Sequence, residues 1–561
     1  FTFRGPDGKK ETFKLTIPKG KSVVKKIVCK FPEKVGFVEL DAELKIGDVV
    51  KHNRISVMVR PPYPLTSQSI FKMLKPGEHW NLSGENLPVF IGKTDYTVSF
   101  SASPGLALKD ALSWLNDYPY GCLEQTVSAA FPLFSVDTLL KLGLISQEMA
   151  DTAKAKLTPA AAKLRSMQLA DGSFAAWPGS MERWVDASVF ALHFLSECNS
   201  YPQDRITQNF LRGLAEDTGK SRFSRAYACY VLALRKDDAF LQNARNLIKS
   251  PKDDFATFLA ACALIEGHYA GEAFPILKRV LEKEVWRNPA ELPYYCNTIS
   301  CMGMALRLLM KYDHESPAVG KLVAELQKKL RNDGSGWGTT QSNAWAVLGL
   351  SSFVREFGGA AGNVAIDIGK EKMLALSLTR PQKQVLDAAQ LKKCVVKNTG
   401  KSAVYVQLNV SGYPKTLEDH SRVMKISRKI TNASGKKVSS AKQGDLLTVV
   451  WEIESSAAVE DVVIADLLPG GLEIEDDRLA SRMNMRKDKK TKGQQIRIKH
   501  LEKQTGLFLV FGNISAGKTT FRYQARAVSS GVYSPGAIRA EAMYEPDNTA
   551  VSSVKDKFVV K

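Results

Sequence analysis

Apolar and polar residues alternate with period two at both ends of this chain and with a helical period between them. Phe13, Leu15 and Ile17 alternate with polar neighbours, and Phe37, Val38, Leu40 and Leu44 form short runs broken by Gly and Pro. Residues 1 to about 60 therefore predict strands. Val59-Arg60-Pro61-Pro62-Tyr63-Pro64 predicts a rigid connector, because each proline ring fixes φ and removes an N–H donor. A further strand is expected at 96–100.

From Pro104-Gly105 to about Phe357 the period becomes helical, in segments of about 10 to 20 residues. Helices are predicted over 131–144, 185–195, 226–234, 255–265 and 300–310. Two passages read as copies of one unit. Gln168-Leu169-Ala170-Asp171-Gly172-Ser173-Phe174 precedes Trp177 and an apolar helix, and Asn332-Asp333-Gly334-Ser335-Gly336-Trp337 precedes Ala344-Trp345-Ala346-Val347-Leu348. Such recurrence suggests stacked helical hairpins, which closed into a ring would form an α/α toroid. After about 360 the period returns to two, at Val364, Ile366 and Ile368, then Leu374, Leu376 and Leu378, then Val404, Val406 and Leu408. Gly412-Tyr413-Pro414 makes a break. Strands over 446–453, 462–465 and 507–511 then predict an antiparallel sandwich. Helices between two β segments are what insertion into a β domain would produce.

Composition adds limits. The apolar (44%) and charged (24%) fractions are those of a globular protein, and the length calls for several domains. No stretch reaches the roughly 18 apolar residues of a membrane span, and no basic, apolar, small-residue signal pattern opens the chain. A chain opening in strand-like sequence is expected to be a piece of something longer. The net charge of +20 raises nucleic acid as a partner. Its densest run, from Arg482 through Arg486, Lys487, Lys489, Lys490 and Lys492 to Arg497 and Lys499, lacks interleaved aromatics for base stacking. It reads as a solvated loop or strand edge, with a polyanion or membrane-surface contact as the lesser alternative, and no nucleic-acid partner is expected. The eight cysteines form no C-x-x-C pair and no zinc spacing, so neither metal nor cofactor is expected.

One tetrapeptide carries chemistry. Cys122 and Gln125 of Cys122-Leu123-Glu124-Gln125 lie three positions apart, on one face of a helical turn. There the sulfur can displace ammonia from the carboxamide and close an internal thioester. A buried structural cysteine is the plainer alternative. A helix starting near Leu123 would set its N-terminus beside the sulfur and favour thiolate. Gly121 would permit a tight turn and Pro119 would fix the approach. Tyr118 and Tyr120 are candidates to shield the thioester, or simply to pack. Glu124 reads as structural, capping or pairing, rather than as a catalytic acid. No catalytic residue is assigned: Cys122 is a leaving group and Gln125 an acyl donor, used once.

With its neighbours, this stretch resembles the bacterial α2-macroglobulin family. Tyr118-Pro119-Tyr120-Gly121-Cys122-Leu123-Glu124-Gln125 resembles the family's thioester motif, and Trp177-Pro178-Gly179 and Trp337-Gly338-Thr339-Thr340 resemble repeats of its thioester domain. Asp466-Leu467-Leu468-Pro469-Gly470-Gly471-Leu472-Glu473-Ile474, Asp476-Asp477-Arg478, Tyr523-Gln524-Ala525-Arg526-Ala527 and Ala542-Met543-Tyr544-Glu545-Pro546 resemble later landmarks. The resemblance implies a multidomain α+β fold: an α/α-toroid thioester domain inserted in a CUB-like β domain and flanked by antiparallel macroglobulin-type β-sandwiches. Residues 1–60 would end one macroglobulin-like sandwich. Residues 61–103 and 358–413 would form the CUB-like domain, 104–357 the toroid, and 414–561 the C-terminal, receptor-binding-type macroglobulin domain. The family's bait region and upstream domains lie outside these residues.

The implied function is endopeptidase inhibition: a trap that acylates lysine amines of attacking proteases, used once and without turnover. The implied setting is the periplasm or cell envelope, in bacterial defence, as a monomer tethered by any lipid anchor upstream. Some thioester proteins carry a His about a hundred residues after the motif, but residues 222–238 contain none; the nearest are His193 and His268, expected to be structural or solvent-facing. Direct attack by amines is then favoured. Two rivals stay open: a non-inhibitory surface or adhesion protein of the same architecture, and an α/α-toroid enzyme using Asp171 and Asp333, whose Asp-Gly turns already give both a role.

Overall fold

The computed structural model describes all residues except 33, 89, 93, 119–120, 199–203, 250–251, 359–361, 369–372, 476–495, 505 and 555. The first β segment is a four-stranded antiparallel sheet of Thr2–Arg4, Lys10–Thr12, Gly36–Ile46 and Val49–Val59. The strand expected through Leu15 and Ile17 is not formed, and both side chains stand partly in solvent. Alternation supplies an apolar face, but a strand also needs a neighbour for its backbone and a core for that face. The proline connector at 60–65 carries no strand, and the Pro62 carbonyl accepts from Ala537 N–H (3.1 Å).

Two four-stranded sheets follow. One orders Gln382–Leu386, Tyr96–Ser101, Val404–Gly412 and Thr66–Leu74; the other orders His79–Asn81, Cys394–Asn398, Asn363–Ile368 and Met373–Ser377. Strands from before residue 104 thus pair with strands from after residue 362. They share a core that includes Trp80, Phe100, Val364 and Leu408. The helical segment is inserted between them in sequence.

Six of its helices are buried over most of their surface: α1 (Leu123–Ala130), α2 (Val185–Glu197), α3 (Arg222–Leu234), α4 (Phe255–Glu266), α5 (Thr298–Tyr312) and α6 (Thr340–Phe357). Helices buried all round lose the one-sided stripe of a surface helix. Each packs on the next in chain order, and α6 returns to α1. Amphipathic helices such as Arg205–Glu216 and Phe240–Lys249 cover the outside. Side-chain caps from Ser221, Asp254, Asn297 and Thr339 open α3 to α6. The helix expected over 131–144 splits into a 3₁₀ turn, Phe131–Ser135, and a short helix, Val136–Lys141, ended by Gly143 at φ 70°.

The two repeated turns are alike in detail. Asp171 accepts from Ser173 N–H and Asp333 from Ser335 N–H, and Gly172 and Gly334 sit at φ 86° and 77°. Arg183 pairs with Asp171 and Arg331 with Asp333. Both carboxylates are thus engaged in turns.

The last segment is a sandwich. One sheet contains β1 (Val459–Leu467), β2 (Leu507–Ile514), β3 (Ile538–Ala542) and β4 (Glu545–Ser552), between edge strands His420–Ser421 and Arg497–Gln504. The facing sheet is Met424–Thr431, Leu446–Ser455, Gly517–Ala527 and Leu472–Ile474. Val462 and Ile464 of β1 and Phe508 and Val510 of β2 point into the sandwich core. Within it lies Asp466, accepting from Trp451 Nε1 (2.6 Å), the Tyr523 hydroxyl (2.7 Å) and Arg428. Most of the basic run lies outside the described residues, as does Asp476-Asp477-Arg478; Arg497 and Lys499 fall in the edge strand Arg497–Gln504. Among the described residues, no helix is long and apolar enough to cross a membrane.

Candidate reactive site

The residues of β1 and β2 that face away from the sandwich core meet the start of α1. Val463, Leu509 and Phe511 cluster with Trp177, Met543 and Cys122, flanked by Ala465, Leu507 and Tyr544. The sheet is therefore apolar on both faces, and its outer face covers the tetrapeptide.

Cys122 is the N-cap of α1, in extended conformation (φ −66°, ψ 175°) and 2% exposed. Its N–H donates to Gln125 Oε1 (3.2 Å), while its side chain accepts from the Gln125 N–H. This is a capping box with sulfur in place of the usual hydroxyl, and it holds the two side chains against one turn. The expected helix start is borne out. Gln125 Nε2 also lies 3.0 Å from Met543 Sδ. Leu123 N–H donates to the Ala176 carbonyl (2.9 Å), tying the turn to the first repeat. Gly121 is not in the left-handed region that a tight turn would use, and the Lys163 ammonium reaches the space beside it.

Glu124 is fully buried. It accepts from Thr340 Oγ1 of α6 (2.9 and 3.0 Å), from Ser128 one turn on, and from the Tyr544 hydroxyl (3.0 Å). Tyr544 occupies the two-residue turn between β3 and β4, and its hydroxyl is 3.8 Å from Cys122 Sγ. Its ring packs edge-on against Tyr294, centroids 5.4 Å apart. At its side, Asp461 sits in a bulge of β1 at φ 48°, its carbonyl accepting from Met543 N–H (3.0 Å). Arg331 bridges from the second repeat turn to Asp547 (2.9 Å), just beyond Tyr544.

Burial governs the electrostatics. It pushes the Cys122 thiol well above the ordinary thiol range, with the Glu124 charge adding to it. The expected helix-terminus stabilisation of thiolate is thus outweighed here. Burial also pushes Glu124 up to about 7, against hydrogen bonds from Ser128, Thr340 and Tyr544. A carboxyl accepting three protein hydrogen bonds in a dry site is held in place yet half neutral near pH 7.

Of the two shielding candidates, Tyr118 packs on Trp114, centroids 4.9 Å apart, and Tyr120 lies outside the described residues. Trp177, Phe511 and Tyr544 provide cover instead. His193 is buried, bonded to the Tyr227 hydroxyl (2.8 Å) and Glu197 (3.0 Å), and is structural; His268 is exposed. All eight cysteines are unpaired as disulfides.

Residues 424–547 match the family model of the bacterial alpha-2-macroglobulin MG10 domain, and 369–420 match the alpha-2-macroglobulin CUB domain. The alpha-2-macroglobulin of Escherichia coli strain K12 is 27% identical over 557 residues, covering 91% of this chain and 32% of that protein. Over most of its length the chain is similar to bacterial alpha-2-macroglobulins. A relative of the same name from Rickettsia conorii is 24% identical over 80% of the chain and 24% of its own length. The chain thus spans between a quarter and a third of the length of these curated relatives. The native E. coli alpha-2-macroglobulin structure from domain MG7 to the C-terminus superposes with TM-score 0.79 at 22% identity, covering 95% of this chain and 88% of that one. Salmonella alpha-2-macroglobulin reacted with methylamine gives TM-score 0.79 at 25% identity, covering 94% and 36%. The chain therefore shares the multidomain α+β fold of the alpha-2-macroglobulin C-terminal region.

Proposed function

We propose that this chain is the thioester-bearing part of an endopeptidase inhibitor, with the bond between Cys122 Sγ and Gln125 Cδ. The observation that carries this reading is the buried Cys122–Gln125 capping box under the outer face of the sandwich. A thioester survives only where amines and water are kept away, and the cover formed by Trp177, Phe511, Met543 and Tyr544 does that. Attack by a lysine of a trapped protease would join that amine to the Gln125 acyl carbon and free the Cys122 thiol. The step is single-use, so no turnover enzyme is proposed. Asp171 and Asp333, held in their turns, favour no catalytic pair.

The architecture is read as an α/α toroid (104–357) inserted in a CUB-like domain (61–103 and 358–413). A macroglobulin-like sandwich (1–60) precedes it and a macroglobulin domain (414–561) follows. Support comes from the cyclic packing of α1 to α6 and from strand pairing across the insertion. The family resemblance further suggests a monomeric protein of the periplasm or cell envelope, tethered by any lipid anchor upstream. Heating under denaturing conditions tests the bond. The Gln125 backbone nitrogen can attack its own activated acyl carbon, weakening the peptide bond before it. Fragments ending at Glu124 and starting at Gln125 are expected, and none from Cys122→Ala. An intact band in both would count against the thioester.

A further inference from the structure

Glu124 was expected to be merely structural, yet its carboxyl and the Cys122 sulfur flank one hydroxyl. Tyr544 Oη is 3.0 Å from Glu124 Oε2 and 3.8 Å from Cys122 Sγ. Thr340 and Ser128 fix the carboxyl from two helices. We propose that Glu124, acting through the Tyr544 hydroxyl, delivers a proton to the Cys122 sulfur as an amine displaces it from the Gln125 acyl carbon. This rests on the thioester reading above.

The need for such a proton follows from the burial of the sulfur. A thiol pushed far up by its surroundings is a poor leaving group as a bare thiolate. In the step proposed, the amine nitrogen bonds to the acyl carbon and the carbon–sulfur bond breaks. The sulfur takes the Tyr544 hydroxyl proton, and Tyr544 takes the Glu124 carboxyl proton. The surplus proton on the new amide nitrogen passes to the Glu124 carboxylate or to water. One N–H and one C–S bond are exchanged for one C–N and one S–H bond, with no redox change.

A carboxyl held near 7 can both give and regain a proton at neutral pH. Among the described residues, Tyr544 and Asp461 of the sandwich, and Tyr294, Tyr295 and Cys296 ahead of α5, interact electrostatically with Glu124, and the Lys163 ammonium reaches the space beside Gly121, next to Cys122. The Asp461 charge adds to burial in keeping Glu124 protonated. Glu124 is thus a positioning and relay residue, not the group that bonds to the amine.

The test is thiol release from the full chain by methylamine, with rate constants expressed per free amine across pH 5.5 to 8.5, a range set about 1.5 units either side of the Glu124 value. The wild-type constant is expected to fall as pH rises through about 7, where the acid form of Glu124 is lost. Glu124→Gln should be slower by about 10²-fold at the acid end and flat with pH. Tyr544→Phe keeps the covering ring but removes the hydroxyl, so it should flatten the profile too; it carries the test if Glu124→Gln fails to fold. A wild-type slope retained in either folded variant, or slowing by one factor at every pH, overturns the relay. A wild-type chain that gains no methylamine overturns the thioester reading itself, and the relay with it.

Discussion

Tyr544→Ala is expected to react with methylamine about 10- to 100-fold faster than the wild type. The argument is one of cover. Tyr544 closes the site over Cys122, packed on Tyr294 and bonded to Glu124. Burying an aromatic side chain contributes about 1.5–3 kcal/mol. Loss of that term in the closed state, at about 1.4 kcal/mol per decade, gives the stated acceleration. Thiol titration against time after methylamine addition reads it. The alanine variant removes ring and hydroxyl together, so its acceleration is read at pH 8.5, about 1.5 units above the Glu124 value, where the acid form is largely lost and the relay contributes little; Tyr544→Phe isolates the relay. An unchanged rate would mean that Trp177 and Phe511 suffice to close the site.

Asp466→Ala is expected to loosen the C-terminal sandwich by about 3–5 kcal/mol, the usual cost of breaking a buried charge pair by removing one partner. Asp466 and the Arg428 side chain are both almost fully buried. With the carboxylate gone, Arg428 keeps only the Leu467 and Gly536 carbonyls (2.9 and 2.7 Å), and the Trp451 and Tyr523 donors lose their acceptor. Amide exchange along Leu446–Ser455 and β1 should quicken by at least about 10²-fold, since 1.36 kcal/mol is a decade. Protection equal to wild type would show that the pair is replaceable by packing. Because β1 also presents Val463 to the Cys122 cluster, the same variant should raise methylamine reactivity.

Much of this was legible in the chain. Cys122 and Gln125 three apart gave one turn, and the start of α1 fell where the tetrapeptide placed it. The Asp-Gly turns before Trp177 and Trp337 were recognisable as copies because both need a left-handed glycine and a side-chain acceptor two residues before a serine. What was harder to read was long-range. Leu507-Phe508-Leu509-Val510-Phe511 is apolar without alternation, the mark of a strand buried on both faces. That run signals a second partner for the sheet but not which element supplies it. Tyr544 stood in a landmark stretch, yet its place over Cys122, 422 residues earlier, depends on domain docking that no local period encodes. Glu124 reads as a structural, capping or pairing residue from its neighbours, and it is indeed hydrogen-bonded, but its partners Thr340 and Tyr544 come from elements that no local period brings to it. Leu15 and Ile17 show the converse, a strand-like period with no sheet to receive it.

The most direct measurement of the central claim is intact mass with thiol titration before and after methylamine. A chain carrying the Cys122–Gln125 thioester should gain one methylamine, mapped by peptide mass to Gln125, together with one new titratable thiol at Cys122. Cys122→Ala should gain neither. An untreated chain with a free Cys122 thiol and an unmodified Gln125 carboxamide, unchanged by methylamine, would contradict it.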